Sequence, residues 1–260
     1  MRAGAALRRV GYLVGLPLVL LVVWWVLTDN STDPYVVPLR EIFATFPDTW
    51  TGTRLVEDVL PSVLRLLVGY GVSVLLGVAL GVAVGSSRGL RDLLEPVLEF
   101  FRAIPPPVII PIVILFAGIG DTMKIIVIVS GCLWPVLLNT VEGVRAVDEV
   151  LSDTSRCYGI RGTSRLRHLT LRAASPQILA GMRQALSLAI ILMVISEMFA
   201  ATNGLGFTIV QFQRSFAIPE MWTGILVLGI VGIVLSLVFG LVERRVLGWY
   251  FGLRRSQRGE

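Results

Sequence analysis

The chain has 260 residues, of which 55% are hydrophobic and only 16% charged, and its mean hydropathy is +0.79. Soluble domains sit near 25% charged, so the composition excludes an ordinary water-soluble globule and makes the lipid bilayer the expected solvent. The formal net charge of +5 comes without a basic cluster interleaved with aromatics, so nucleic acid is not an expected partner.

A membrane-spanning helix needs roughly 20 mostly apolar residues, and six stretches approach that, at about 11–28, 60–85, 98–119, 122–142, 177–200 and 222–242. In the first, Arg2, Arg8 and Arg9 precede the apolar run. Trp24-Trp25-Val26-Leu27-Thr28-Asp29 offers no small-x-small cleavage site, so an uncleaved signal anchor is expected. Between the first two spans, Leu39, Ile42, Phe43 and Phe46 recur at helical spacing and predict a short interfacial helix on the outer surface. Residues 1–58 thus form an anchor with an outer segment, 59–250 a five-span core, and 251–260 a tail.

The second span carries Gly77, Gly81 and Gly85 on one face, which lets a neighbouring helix approach closely. In the third, Glu99 and Arg102 precede Pro105, Pro106 and Pro107, with Pro111 beyond, and a kinked or broken helix is expected. After the fourth span comes the longest inner segment, 143–176, rich in arginine and interrupted by Gly159 and Gly162. Asp148 to Tyr158 contains no proline or glycine and can form a short helix, with Asp153 near its start. Held across the mouths of two spans, such a helix can transmit force from a soluble partner; from composition it can equally be a solvated loop. The fifth span contains Glu197, a carboxylate costly in lipid unless it is paired or faces water, which leaves a buried pair and a translocation path both open. Ala201-Thr202-Asn203-Gly204-Leu205-Gly206-Phe207 follows as an outer turn or a gate-forming loop.

Arginine distribution sets the orientation. With the amino terminus inside, the inner segments hold sixteen arginines, among them Arg88, Arg91, Arg145, Arg156, Arg161, Arg165, Arg244 and Arg245. The outer ones hold only Arg40, Arg54, Lys124 and Arg214 among several carboxylates. That asymmetry predicts both termini in the cytoplasm.

Searches for catalytic chemistry come back empty. There is no Gly-x4-Gly-Lys-Ser/Thr phosphate loop, and Lys124 is the sole lysine. No His-Glu-x-x-His or Gly-x-Ser-x-Gly occurs, and His168 is the only histidine. Cys132 and Cys157 are expected at different depths and unpaired. The chain is therefore read as no enzyme, with no metal site and no cofactor of its own.

In order, these residues resemble the inner-membrane permeases of the nitrate/sulfonate/taurine group of ATP-binding-cassette (ABC) importers, from about residue 36 to 250. Ser62 to Tyr70 looks like the opening of that family's second helix. Phe101-Arg102-Ala103-Ile104-Pro105-Pro106, with Ile110-Pro111, matches its proline-rich stretch, and Trp134 to Thr140 with Gly143-Val144-Arg145 the end of its fourth helix. The diagnostic Glu-Ala-Ala motif, followed by Gly and later Pro, reads Asp153-Thr154-Ser155-Arg156-Cys157-Tyr158-Gly159 with Ala174-Ser175-Pro176 downstream. Spacing is kept, while Thr154-Ser155 replaces the Ala pair and Arg172 stands where a further proline is common. Ile178 to Arg183 and Glu197 to Gly206 are again similar to the family.

The resemblance implies an all-α, polytopic membrane protein of about six helices with the type I ABC importer permease fold, multi-pass in the bacterial inner membrane. It implies a second permease copy, two ABC ATPase subunits that bind ATP and Mg, and an extracytoplasmic substrate-binding protein. The coupling segment carries over to Asp153, Thr154, Ser155, Arg156 and Gly159, within a helix near 149–160. Arg102, Pro105, Glu197, Asn203 and Gly204 become translocation-path or gate residues. The implied cargo is a sulfonate, taurine, nitrate, or a vitamin or precursor such as riboflavin or the thiamine pyrimidine. The rival is a proton-coupled secondary transporter or channel working through Glu197, a reading that leaves the long basic inner segment unexplained and shows no inverted repeat.

Overall fold

A computed structural model of the chain describes residues 2–29, 33, 35–199 and 201–250, the side chains of 2–14 excepted. Within these residues the chain is helical throughout. The elements are α1 (Arg2–Thr28), α2 (Leu39–Trp50), α3 (Leu60–Ser86), α4 (Arg88–Ala103), α5 (Ile110–Ala117), α6 (Asp121–Arg145), α7 (Glu149–Cys157), α8 (Gly162–Arg165), α9 (Leu171–Phe199), α10 (Leu205–Arg214) and α11 (Ile218–Val246). One wide turn at Leu55–Val59 runs straight into α3, and another at Leu166–Thr170 joins α8 to α9, so the continuous helices are Leu55–Ser86 and Gly162–Phe199.

Those two, with α6 and α11, are long and apolar enough to cross a bilayer. They answer to the expected second, fourth, fifth and sixth spans. The expected first span falls in α1, whose described apolar part is the shorter Gly15–Thr28; the tail 251–260 lies outside the described residues. The expected third span is a broken pair, α4 and Pro106–Ala117, bent by 82°. The cause is local. A residue before proline is pushed out of the helical region, and Ile104 and Pro105 both take extended backbone, with ψ of 117° and 124°. Helix α4 begins far upstream of the expected start and lays Leu90, Leu94 and Leu98 against Val84, Leu137 and Val141.

The core is built from α3, α6 and α9. Because lipid supplies no hydrophobic drive between helices, close backbone approach through small residues holds them together. On α3, a Cβ at Gly69 would meet Ile128, at Gly77 Val136, at Gly81 Thr140 and at Gly85 Val144. The Gly77–Gly81–Gly85 face is thus spent on α6 within the chain. On the other side of α6, Gly131 faces Leu192 and Gly143 faces Ala174, and Gly181 of α9 sits on Pro135 and Asn139. Met123, Val127, Ile128, Cys132, Val136, Ala185, Ala189 and Met193 fill the seams with little or no exposure.

Outside this trio, α2 packs on α11. The Trp50 indole donates to Thr223 Oγ1 at 2.8 Å in a buried site, and Leu39 and Ile42 are buried beside Ile218 and Trp222. The expected short helix therefore exists and is half-covered by protein, while Phe43 stays exposed. The three core helices define two ends: an acidic end with Leu60, Asp121 and Phe199, and a basic end with Ser86, Arg145 and Leu171.

Candidate functional site

Arg65, Lys124 and Glu197 are the buried charged side chains among the described residues, and all three meet at the acidic end. Arg65 sits one and a half turns into α3, Lys124 in the first turn of α6, and Glu197 near the end of α9. Glu197 has no exposed surface. Its Oε1 accepts from Arg65 at 2.8 Å and lies 2.8 Å from Ser62 Oγ; its Oε2 accepts from Gly206 N at 3.0 Å and lies 2.9 Å from the same hydroxyl. Arg65 uses the rest of its fork on Asp121 Oδ1 at 2.7 Å, Asn203 Oδ1 at 2.7 Å and the Asn203 carbonyl at 3.3 Å. Lys124 approaches Asp121 at 3.7 Å. A planar guanidinium with fixed donor directions suits such a multidentate junction better than a lysine would.

The loop after α9 is tied to this cluster. Gly204 N donates to Asp58 Oδ1 at 3.1 Å and Leu205 N to Ser62 Oγ at 2.9 Å. Gly204 has φ +122°, and a Cβ there would lie 2.5 Å from the Glu197 carboxylate, so both backbone and space demand glycine. The 201–204 segment is a tight turn that starts α10. Ser62, Arg65, Asp121, Glu197, Asn203 and the 204–206 amides thus form one polar junction joining α3, α6, α9 and α10. Buried charges persist where paired and hydrogen-bonded, and every oxygen of Glu197 has such a partner.

The coupling candidates lie at the other end. Helix α7 spans Glu149–Cys157 with Asp148 as its cap, the carboxylate accepting from Leu151 N at 3.1 Å. Asp153 is accordingly mid-helix rather than near the start; Asp148 and Glu149 supply the negative charge that a helix N-terminus favours. Asp153 and Arg156 are exposed and paired at 3.3 Å. The hydroxyls of Thr154 and Ser155 donate back to carbonyls of their own helix, Val150 and Ser152, with Thr154 exposed and Ser155 buried. Gly159, at φ +68°, closes the helix in the left-handed conformation. Val150, Leu151 and Tyr158 remain exposed, at 73%, 53% and 80%.

Of the sequence-derived path residues, Glu197, Asn203 and Gly204 come together. Arg102 and Pro105 do not: Arg102 is exposed on α4 and bound to Glu99 at 2.6 Å, and Pro105 marks the break before Pro106–Ala117. Sequence reasoning missed Arg65, Ser62, Asp58 and Asp121 as members of the junction. The available signal was Arg65 itself, a guanidinium inside an apolar span opposite the one carboxylate of another span.

Residues 73–248 match the family model described as "Binding-protein-dependent transport system inner membrane component". The chain belongs to that family. Among its relatives, the taurine transport system permease protein of Escherichia coli (strain K12) is 30% identical over 250 residues, covering 94% of this chain and 91% of the relative. A putative aliphatic sulfonates transport permease of Bacillus subtilis (strain 168) is 28% identical, over 93% and 89% of the two chains. The nitrate import permease of Synechocystis sp. is 28% identical, over 88% and 86%. In three dimensions a chain of the MetNI methionine ABC transporter, solved in inward-facing conformations, matches with a TM-score of 0.64 at 20% identity, covering 77% of this chain and 98% of that one. This is the type I importer permease fold, and the chain is the transmembrane permease of an ABC importer.

Proposed function

We propose that two copies of this permease form the translocation path for a small oxyanion or its zwitterionic relative, of the taurine, sulfonate or nitrate class, received from an extracytoplasmic binding protein. ATP hydrolysis belongs to two ABC ATPase subunits seated on the basic end, which faces the cytoplasm. The observation that carries this reading is α7. It is a capped, nine-residue helix between the ends of α6 and α9, presenting Val150, Leu151 and Tyr158 outward. Apolar side chains outside the spans call for a protein partner, and a short rigid helix returns that partner's motion to two spans at once.

The cycle is alternating access between two states of similar energy, biased by nucleotide through contacts that differ between them. ATP closes the ATPase pair, α7 rides with it, and α6 and α9 tilt together because their seam is packed through Gly131, Gly143 and Gly181. Movement is thereby delivered to the acidic end, where the turn carrying the gate candidates Asn203 and Gly204 is tied to the Glu197 junction. Arg102, exposed on α4 and paired with Glu99, remains accessible to the path formed with the second copy.

Native mass spectrometry of the complex extracted from its own membranes tests the assembly. Two permeases with two ATPases are expected, and a Val150→Asp/Tyr158→Ala variant should insert in the membrane yet lose the ATPases. A partner-free permease in the unmodified protein, or full ATPase retention in the variant, overturns the docking assignment.

A further inference from the structure

At the basic end, α3, α4, α6, α7 and the α8–α9 helix border a half-open cavity of about 700 Å³. Four arginines line it, Arg88, Arg91, Arg145 and Arg165, against one carboxylate, Glu149. Arg145 is already paired with Glu142 at 2.8 Å. The other three have no carboxylate partner among the described residues. Arg91 gives one terminal nitrogen to the Gly85 carbonyl at 3.1 Å and Arg165 gives one to Ser152 Oγ at 2.6 Å. The Nε atoms of both are closed to solvent and have no acceptor.

Arg88 makes no hydrogen bond or ion pair among the described residues, so the cavity carries guanidinium charge that the chain itself leaves unbalanced. Water alone would satisfy the donors without balancing the charge. Guanidinium forks match phosphate oxygens in geometry and charge. The cavity also lies where α3 and α6 leave the apolar layer, the depth at which basic pockets between spans meet lipid headgroups. We propose that this cavity is a phosphate-binding site, held by Arg88, Arg91 and Arg165, whose occupant is a phosphate group of an anionic lipid or of a free phosphate. It is separate from the junction at Glu197 and from the exposed face of α7.

The test titrates the purified full-length permease with phosphatidylglycerol and phosphatidylcholine by native mass spectrometry, and with inorganic phosphate by thermal unfolding. Phosphatidylcholine carries the same phosphate with a fixed cation attached, which the arginines repel. Retention of phosphatidylglycerol over phosphatidylcholine, weakened roughly thirtyfold in Arg91→Gln/Arg165→Gln, identifies a lipid occupant. An upward shift of the unfolding temperature by inorganic phosphate, absent in that variant, identifies a soluble one. Should the double variant not fold, Arg88→Gln, an exposed side chain, serves instead with an expected weakening of about fivefold. Arg244→Gln, outside the cavity, controls for general attraction between basic residues and anionic lipid. Absence of both preferences, or binding that Arg88→Gln and Arg91→Gln/Arg165→Gln reduce no more than Arg244→Gln, overturns the proposal.

Discussion

Glu197 is the residue on which two readings diverge. A carboxylate lining a path would keep a face toward water, whereas this one is fully enclosed and bonded to Arg65, Ser62 and Gly206. Removing it leaves Arg65 without its one buried counter-charge, with only the exposed Asp121 left to pair it, and breaking one side of such a pair costs about 3–5 kcal/mol. Glu197→Ala is therefore expected to lower the unfolding temperature in detergent and the yield of folded protein, with uptake falling in proportion. A variant that kept the original unfolding temperature but lost uptake would restore Glu197 to the path. Gly204→Ala should destabilise through the same junction, by about 1–3 kcal/mol, because its methyl group would press on the Glu197 carboxylate from a backbone at φ +122°. Glu197 was legible as costly in an apolar sequence. Its partner was not, because Arg65 lies 132 positions away, and only the antiparallel packing of α9 against the parallel pair α3 and α6 brings them together. Arg102 was legible as a charge near a span, yet the bend before Pro106 leaves it in the open, bonded to its own helix neighbour.

Among the helices, the legible features were those with a periodic physical cause. Four apolar spans follow from run length, the short helix after the fourth stretch from the lack of proline and glycine between Asp148 and Tyr158, and the Gly77–Gly81–Gly85 face from its spacing; sequence reasoning missed the Asp148 cap. The proline-rich third span was legible as broken, but its 82° bend and the long amphipathic α4 ahead of it were not, since Leu90, Leu94 and Leu98 acquire meaning only against Val84 and Val141. Glycine position within one helix separates contact from filler. At Gly81 a Cβ would lie 2.5 Å from Thr140 Cβ and 2.8 Å from the Leu137 carbonyl, whereas at Gly71 nothing lies within 4 Å. Gly81→Ala should thus force α3 from α6 at about 1–3 kcal/mol, and Gly71→Ala should be neutral or stabilising by up to about 1 kcal/mol. Comparing the two unfolding temperatures checks this, and equal shifts would mean that the α3–α6 seam is softer than its packing indicates.

For the whole molecule, the deciding quantity is which end faces the cytoplasm, since α7 can meet an ATPase from one side only. The arginine asymmetry predicts that it is the basic end, through the cost of moving cations across the bilayer during insertion, and the two cysteines allow it to be read without adding a label site. Cys157 ends α7 and is exposed, while Cys132 is buried in the α6–α9 seam, its thiol directed at the Ala185 carbonyl at 3.3 Å. A membrane-impermeant maleimide should therefore modify one thiol per chain in inside-out vesicles and none in right-side-out vesicles, with Cys157→Ser abolishing the signal. Washing the ATPase from the inside-out vesicles should speed the reaction, because docking covers α7. Labelling from the outer face would place α7 and its arginines outside, and no cytoplasmic ATPase could then drive the spans through it.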